Sequence, residues 1–267
     1  MSLTPERSSS AVVLVEAPAP GVRLLRIHRP EARNALNMEV RLELSRRIDE
    51  FGGSSEVLCI ILAGDAKSFA AGADIKERVT MNPVEKMHSD TEKNRLARSI
   101  AGCSKPLIAA VRGYALGGGF ETALMCDIIV AGESAKFGLP ELGLGVIPGS
   151  GGTQRFARIA GKQRALFHIL TAKQFTAQQA FDMGVVSAVT HDDAVESTAI
   201  ELAGQISRLA PLAVQQAKAV LVAGIDAPLE VGLALEMRAS QLLYATEDQK
   251  EGMRAFIEKR SPKFTGR

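Results

Sequence analysis

Three consecutive glycines, Gly117, Gly118 and Gly119, separate an apolar run at 107–111 from a helix-forming stretch at 120–125. A strand that feeds a helix through such a turn leaves the first N–H groups of the helix free, and the missing side chains let a ligand approach that backbone closely. Glu121 follows three residues past Gly118, which places a carboxylate in the same first turn. A resident phosphate would be repelled by it. The ligand that suits the frame is one whose oxygen becomes negative during reaction while a neighbouring carbon gains or loses a proton. A second acid, Glu141, follows Pro140 and precedes a stretch punctuated by Gly143, Gly145 and Gly149. Two carboxyl groups beside one backbone anion site suggest an acid/base pair.

Around that turn, short apolar runs alternate with helical patterns. Residues 12–16 and 22–28 read as strands joined by a turn at 17–21. From 38 to 51 the apolar side chains Val40, Leu42, Leu44, Ile48 and Phe51 recur near the helical period, and Gly52 and Gly53 end the helix. Residues 58–63 read as a buried strand, 68–74 as a loop whose Asp74 caps a helix starting at Ile75, and 84–100 as a further helix. The unit recurs as a strand at 107–111, a glycine-rich turn at 113–119, a helix at 120–125 and a strand at 127–131. Beyond Gly151 the pattern is almost wholly helical, over 152–159, 162–171, 177–183, 194–209, 211–222, 229–244 and 247–259, with one β segment at 184–188. The expected organisation is an α/β core over 1–208 carrying the site, then a helical region over 209–267.

Composition removes several function classes. The 267 residues, 46% of them apolar, suffice for a sizeable core. A formal charge of +2 without any dense basic block argues against a nucleic-acid partner. Residues 1–10 are polar and no apolar run reaches ~18 residues, so neither export nor membrane spanning is expected, and a cytoplasmic location fits best. Cys59, Cys103 and Cys126 lack C-x-x-C spacing and read as buried free thiols. His28, His88, His168 and His191 stand apart from one another and from cysteine, so no metal site is expected. Ser150 misses the G-x-S-x-G frame of a serine nucleophile, and the glycines at 113–119 match neither a dinucleotide nor a nucleoside-triphosphate loop.

Three stretches carry a resemblance: Phe69-Ala-Ala-Gly-Ala-Asp-Ile-Lys-Glu77, Gly113-Tyr-Ala-Leu-Gly-Gly-Gly-Phe-Glu121, and Phe137-Gly-Leu-Pro-Glu141 through Ile147-Pro-Gly-Ser-Gly-Gly-Thr-Gln-Arg155. They are similar to the motifs of the enoyl-CoA hydratase/isomerase family, the crotonases. The likeness extends to Arg29-Pro-Glu-Ala-Arg-Asn-Ala-Leu36 and to Glu251-Gly-Met-Arg-Ala-Phe-Ile-Glu-Lys259, so it spans almost the whole chain in order. The resemblance implies a crotonase-like spiral of ββα units with a helical C-terminal trimerisation region, assembled as a homotrimer or a dimer of trimers. It implies acyl-CoA thioester substrates and no separate cofactor, since coenzyme A is part of the substrate. It further implies that the Ala73 and Gly118 N–H groups form the oxyanion hole, that Glu121 acts on water, and that Glu141 donates to Cα with Gly149 near the water. Ala71, Asp74, Ile75 and Lys76 would lie along the coenzyme A site, and Phe256 and Lys259 would contact it from the C-terminal helix, sometimes across a subunit boundary.

The chemistry is coherent with that frame. Polarising a conjugated thioester carbonyl makes Cβ electrophilic, and two N–H donors hold the resulting enolate. Close carboxylates resist joint ionisation, so one retains its proton and can serve as the acid. Each residue also has a plainer reading. Glu121 suits the helix dipole, Glu141 a post-proline loop, Asp74 an N-cap, Lys76 a solvated helix face, 149–152 a helix-opening turn, and Phe256 and Lys259 an amphipathic helix. Both glutamates together favour an enoyl-CoA hydratase. The alternatives are an enoyl-CoA isomerase, a hydratase of branched, aromatic or carnitine-linked acyl-CoA, or an RNA-binding protein on the same scaffold, against which the near-neutral charge argues. The far end of the acyl pocket is expected from 79–93 and from segments near Leu116 and Leu142.

Overall fold

The computed structural model describes residues 11–267, apart from the side chains of Glu92 and Lys93. The expectation about export rests on residues 1–10 and lies outside the described residues.

β1 (Val13–Ala19) and β2 (Val22–Ile27) form an antiparallel hairpin. After α1 (Met38–Gly53), the chain builds the same unit three times. β3 (Cys59–Ala63) and β4 (Ser68–Ala70) precede α2 (Ile75–Arg78) and α3 (Pro83–Gly102). β5 (Leu107–Val111) and β6 (Tyr114–Leu116) precede α4 (Gly118–Met125). β7 (Ile128–Gly132) and β8 (Lys136–Gly138) precede α5 (Gly152–Ala160) and α6 (Lys162–Thr171). Then come β9 (Phe175–Thr176), α7 (Ala177–Asp182), β10 (Ala188–Thr190), α8 (Val195–Ser207), α9 (Pro211–Gly224), α10 (Leu229–Leu243) and α11 (Glu247–Ile257).

Each unit gives its first strand to a six-stranded sheet of order β1-β2-β3-β5-β7-β10 and its second to a four-stranded sheet of order β4-β6-β8-β9. The chain therefore spirals, adding one strand to each sheet per turn. From β2 to β10 the larger sheet is parallel. Both faces of its central strands are covered, which is why β3, β5 and β7 read as continuous apolar runs rather than alternating ones. Ile60, Leu62, Leu107, Ala109 and Val111 face the main core under α1 and α3, while Cys59, Ile61, Ile108 and Ala110 face Val195, Ala199 and Ala203 of α8. Among the described residues no helix is long and apolar enough to cross a membrane.

The second sheet corrects the sequence reading. Residues 68–70, expected as loop, are β4, and β6 lies inside the expected glycine-rich turn at 113–119. Strands of two or three residues are too short for side-chain alternation to be visible. Their pairing is instead fixed by close backbone approach, as where Tyr114 N donates to the Lys67 carbonyl at 3.2 Å. The β segment expected at 184–188 lies further on, at Ala188–Thr190. In α1 the buried stripe also differs: Arg41 and Ser45 are buried, and Leu42 is only half-buried. Cys59 and Cys103 are buried and free, and burial pushes the Cys59 thiol up to about 12; Cys126 is half-buried.

Candidate active site

Residues 29–36 form a frame that holds 71–74 in place. Asn34, fully buried and left-handed at φ 58°, accepts from the Arg29 N–H at 2.8 Å and donates to the Ser68 carbonyl at 2.7 Å. Ala71 N then donates to the Arg33 carbonyl at 3.1 Å, Leu36 N to the Gly72 carbonyl at 2.7 Å, and Asp74 N to the Leu36 carbonyl at 3.4 Å. In such a parallel bridge the residue between the two bonds turns its own N–H to the other side. That residue is Ala73, and among the described residues its N–H meets no acceptor. Asp74 caps α2 by accepting from Lys76 N at 3.1 Å, while its other oxygen takes both Arg29 Nη atoms at 3.1 Å. Its side chain is thus engaged in holding the loop.

Gly118 opens α4. The Gly117 N–H is tied to the Gly138 carbonyl at 2.9 Å and the first helical bond runs from Glu121 N to the Gly117 carbonyl at 2.9 Å, so the Gly118 N–H stays free. The Ala73 nitrogen lies 3.5 Å from the point a Cβ on Gly118 would occupy, which brings the two unbonded amides together. Glycine is required on both sides of it. Gly117 has φ 49° and ψ −124°, and a Cβ there would sit 2.9 Å from Glu141 Oε1. A Cβ on Gly119 would overlap the Ala70 carbonyl oxygen, because α4 rests directly on β4.

The two carboxyl groups sit in contrasting environments. Glu121, 3% exposed, accepts through Oε1 from Ser150 N at 2.6 Å and Gly152 N at 2.9 Å, at the opening turn of α5. The run 149–152 is therefore a helix-opening turn, and as such it orients the glutamate. Gly149 is exposed beside these amides. Glu141 lies in a 3-10 turn, Pro140–Leu144, with Oε2 buried and unpartnered among the described residues. Burial pushes its carboxyl up to about 7, the Glu121 charge adds to the rise, and its own backbone N–H and the Arg78 charge oppose it. Glu141 thus holds its proton near neutrality, whereas Glu121 is fixed by two main-chain N–H donors. Both flank the first turn of α4, beside two free amides.

The remaining predicted residues are placed less tightly. Ile75 and Lys76 are exposed on α2, and Ala71 is half-buried in the frame. Phe256 is 86% exposed and Lys259 is exposed just past the end of α11, so a single chain leaves both in solvent. Sequence reasoning missed the Ser150 and Gly152 amides, which no side-chain signal marks. It also missed Arg41, whose signal was present: Arg41, Leu44, Ile48 and Phe51 follow helical spacing, with a cation in an apolar stripe. An open cleft lined by Arg33, Asp65, Lys67, Tyr114 and Lys136 includes neither glutamate. Among the described residues no group of three or more His, Cys, Asp or Glu could hold a metal ion.

Residues 18–267 match the family model described as enoyl-CoA hydratase/isomerase. The chain is 44% identical over 246 residues to a 2,3-dehydroadipyl-CoA hydratase of Escherichia coli, covering 92% of this chain and 96% of that protein. It is 43% identical over 240 residues to a short-chain-enoyl-CoA hydratase of Clostridium acetobutylicum, covering 90% and 92%. Among solved structures, an enoyl-CoA hydratase from Bacillus anthracis superposes with a TM-score of 0.93 at 36% identity, over 96% of this chain and all of that one.

Proposed function

This chain belongs to the enoyl-CoA hydratase/isomerase family, and from that footing we propose how its own residues carry out hydration. The protein is an enoyl-CoA hydratase, a hydro-lyase that adds water reversibly to a trans-2-enoyl-CoA to give a 3-hydroxyacyl-CoA. The thioester oxygen lies between the Ala73 and Gly118 N–H groups. Glu121, oriented by the Ser150 and Gly152 amides, takes a proton from water as the water oxygen bonds to Cβ. The alkene electrons move toward the thioester oxygen, giving an enolate, and Glu141 delivers its proton to Cα. The glutamate pair starts and ends holding one proton between them. No cofactor is called on, since coenzyme A arrives with the substrate; Ala71, Ile75 and Lys76 border its path. The observation that carries this reading is the contrast between the two carboxyl groups beside two unbonded amides. Hydration assays across short, medium, long and aryl enoyl-CoA thioesters test it, and absence of turnover throughout would overturn it.

A pH dependence follows. Both directions need the pair singly protonated, so kcat/KM for hydration and for dehydration should fall together, about tenfold per pH unit, above the value near 7 at which Glu141 loses its proton. The Arg78 charge lowers that value, so Arg78→Met should move the alkaline limb to higher pH. A limb that stays in place, or moves down, would contradict the assignment of Glu141 as the acid.

The assembly proposed is a trimer, or a dimer of trimers, built through the C-terminal helices. Leu221 of α9, Ile225 just past its end, Leu229 and Leu242 of α10, and Phe256 and Ile257 of α11 are large apolar side chains that stand exposed on the single chain, which a subunit contact would cover. Ile225→Asp combined with Leu229→Asp should convert the trimeric mass seen by light scattering to that of a monomer. An unchanged mass would place the interface elsewhere.

A further inference from the structure

Arg41 is 3% exposed on the inner face of α1, and its guanidinium is incompletely matched. Nε donates to the Leu36 carbonyl at 3.3 Å, but Nη2 is closed off from water with no acceptor among the described residues. An unpaired buried cation of this kind is among the costliest arrangements a core can hold. It is not in a remote void. Nη2 lies 3.0 Å from the point a Cβ on Gly118 would occupy, the same point that the Ala73 nitrogen approaches to 3.5 Å, so the unmet donor borders the space over the oxyanion amides.

A second cation acts on the same space. Arg78, at the last turn of α2, has no ion-pair partner among the described residues, and its charge is felt by both Arg41 and Glu141. The acids facing Arg41 have other engagements: Glu121 accepts from the Ser150 and Gly152 amides, Glu77 from Met38 N, and Asp90 pairs with Lys86. Two guanidinium groups that repel each other gain most from an anion delivered by the ligand. The anion that an acyl chain can carry is a carboxylate, whose geometry matches the free edge of a guanidinium.

We propose that Arg41 and Arg78 form an anion-binding wall of the acyl pocket, and that the preferred substrate is an enoyl-CoA whose acyl chain carries a second carboxylate. The proposal rests on the hydratase reading. A neutral acyl chain of the same length would leave Arg41 buried and unmatched, so discrimination comes as much from that penalty as from the new ion pair.

The test compares a dicarboxylyl enoyl-CoA with the methyl-terminated enoyl-CoA of equal length, by hydration rate and by calorimetric binding. The wild-type kcat/KM should favour the dicarboxylyl thioester by about tenfold or more. Arg41→Met should lower that value by about the same factor, tenfold or more, as loss of one partner of a buried charge pair does, and bring the ratio of the two substrates toward one. Arg78→Met, at a half-buried position, should reduce the ratio in the same direction by less. Removing an unpaired buried charge should hold or raise the thermal midpoint of Arg41→Met, so a loss of preference is not a loss of fold. A wild-type preference for the neutral thioester, or equal losses on both substrates in Arg41→Met, would overturn the proposal. If the wild type hydrates neither thioester, the hydratase reading fails separately, and calorimetry alone decides: tighter binding of the dicarboxylyl thioester that Arg41→Met abolishes supports the wall, and equal binding removes it.

Discussion

Glu121→Gln should lower hydration of crotonyl-CoA by about a thousandfold or more while leaving thioester binding within a few-fold of wild type. Glutamine keeps a carbonyl oxygen that can still accept from Ser150 N and Gly152 N, so the opening turn of α5 and the position of the side chain are preserved. What disappears is the capacity to take a proton from water. Binding should persist because the proposed mechanism holds the thioester through the Ala73 and Gly118 amides, which the substitution does not touch. Glu141→Gln should produce a loss of similar size for a different reason, since an amide has no proton of suitable acidity to give to Cα. Because the two groups act as one unit, the double variant should fall little below either single one. Rapid-mixing assays with an independent calorimetric measurement of binding separate these effects. Full activity in either single variant would remove the acid/base pair from the mechanism.

Much of this site was legible because its chemistry is written in residue types that have few other reasons to occur together. Gly117 to Gly119 followed by Glu121 announces a free helix N-terminus with an acid in its first turn, and the structure places them so. The central strands of the larger sheet, β3, β5 and β7, were legible for a similar reason, being apolar runs of five residues covered on both faces. The smaller sheet was not. β4, β6, β8 and β9 have two or three residues each, and their pairing depends on backbone contacts such as the seat of Gly119 on Ala70, which no local pattern encodes. The orientation of Glu121 was hidden in the same way, because its two donors are main-chain groups some thirty residues away in sequence. Arg41 illustrates a different blindness. Counting only apolar residues along α1 passes over a cation standing in the buried stripe, although a polar group in such a place is the informative observation.

Gly118→Val should cost about a hundredfold to a thousandfold in kcat/KM, the loss expected when one oxyanion donor is withdrawn. The donors are main-chain amides that side-chain deletion cannot remove, so the available test is to fill the space beside them. Gly118 is helical, unlike Gly117, so the backbone tolerates a side chain there without the strain of a left-handed conformation. The Cβ of valine would stand 3.5 Å from the Ala73 nitrogen and 3.0 Å from Arg41 Nη2, and the guanidinium can yield by the few tenths of an ångström needed. Its methyl groups then occupy the volume where the thioester oxygen must sit. Gly118→Ala, which adds only the Cβ, should lose far less. Gly117→Ala should instead destabilise the fold measurably, because φ 49° disfavours any L side chain and the new Cβ presses on Glu141. The alkaline limb set by Glu141 should stay in place in Gly118→Val, since the acid is untouched, whereas displacement of Glu141 in Gly117→Ala should move it. A Gly118→Val protein that hydrates crotonyl-CoA as wild type would show that the thioester oxygen does not lie between the Ala73 and Gly118 amides, and the enolate would have to be stabilised elsewhere.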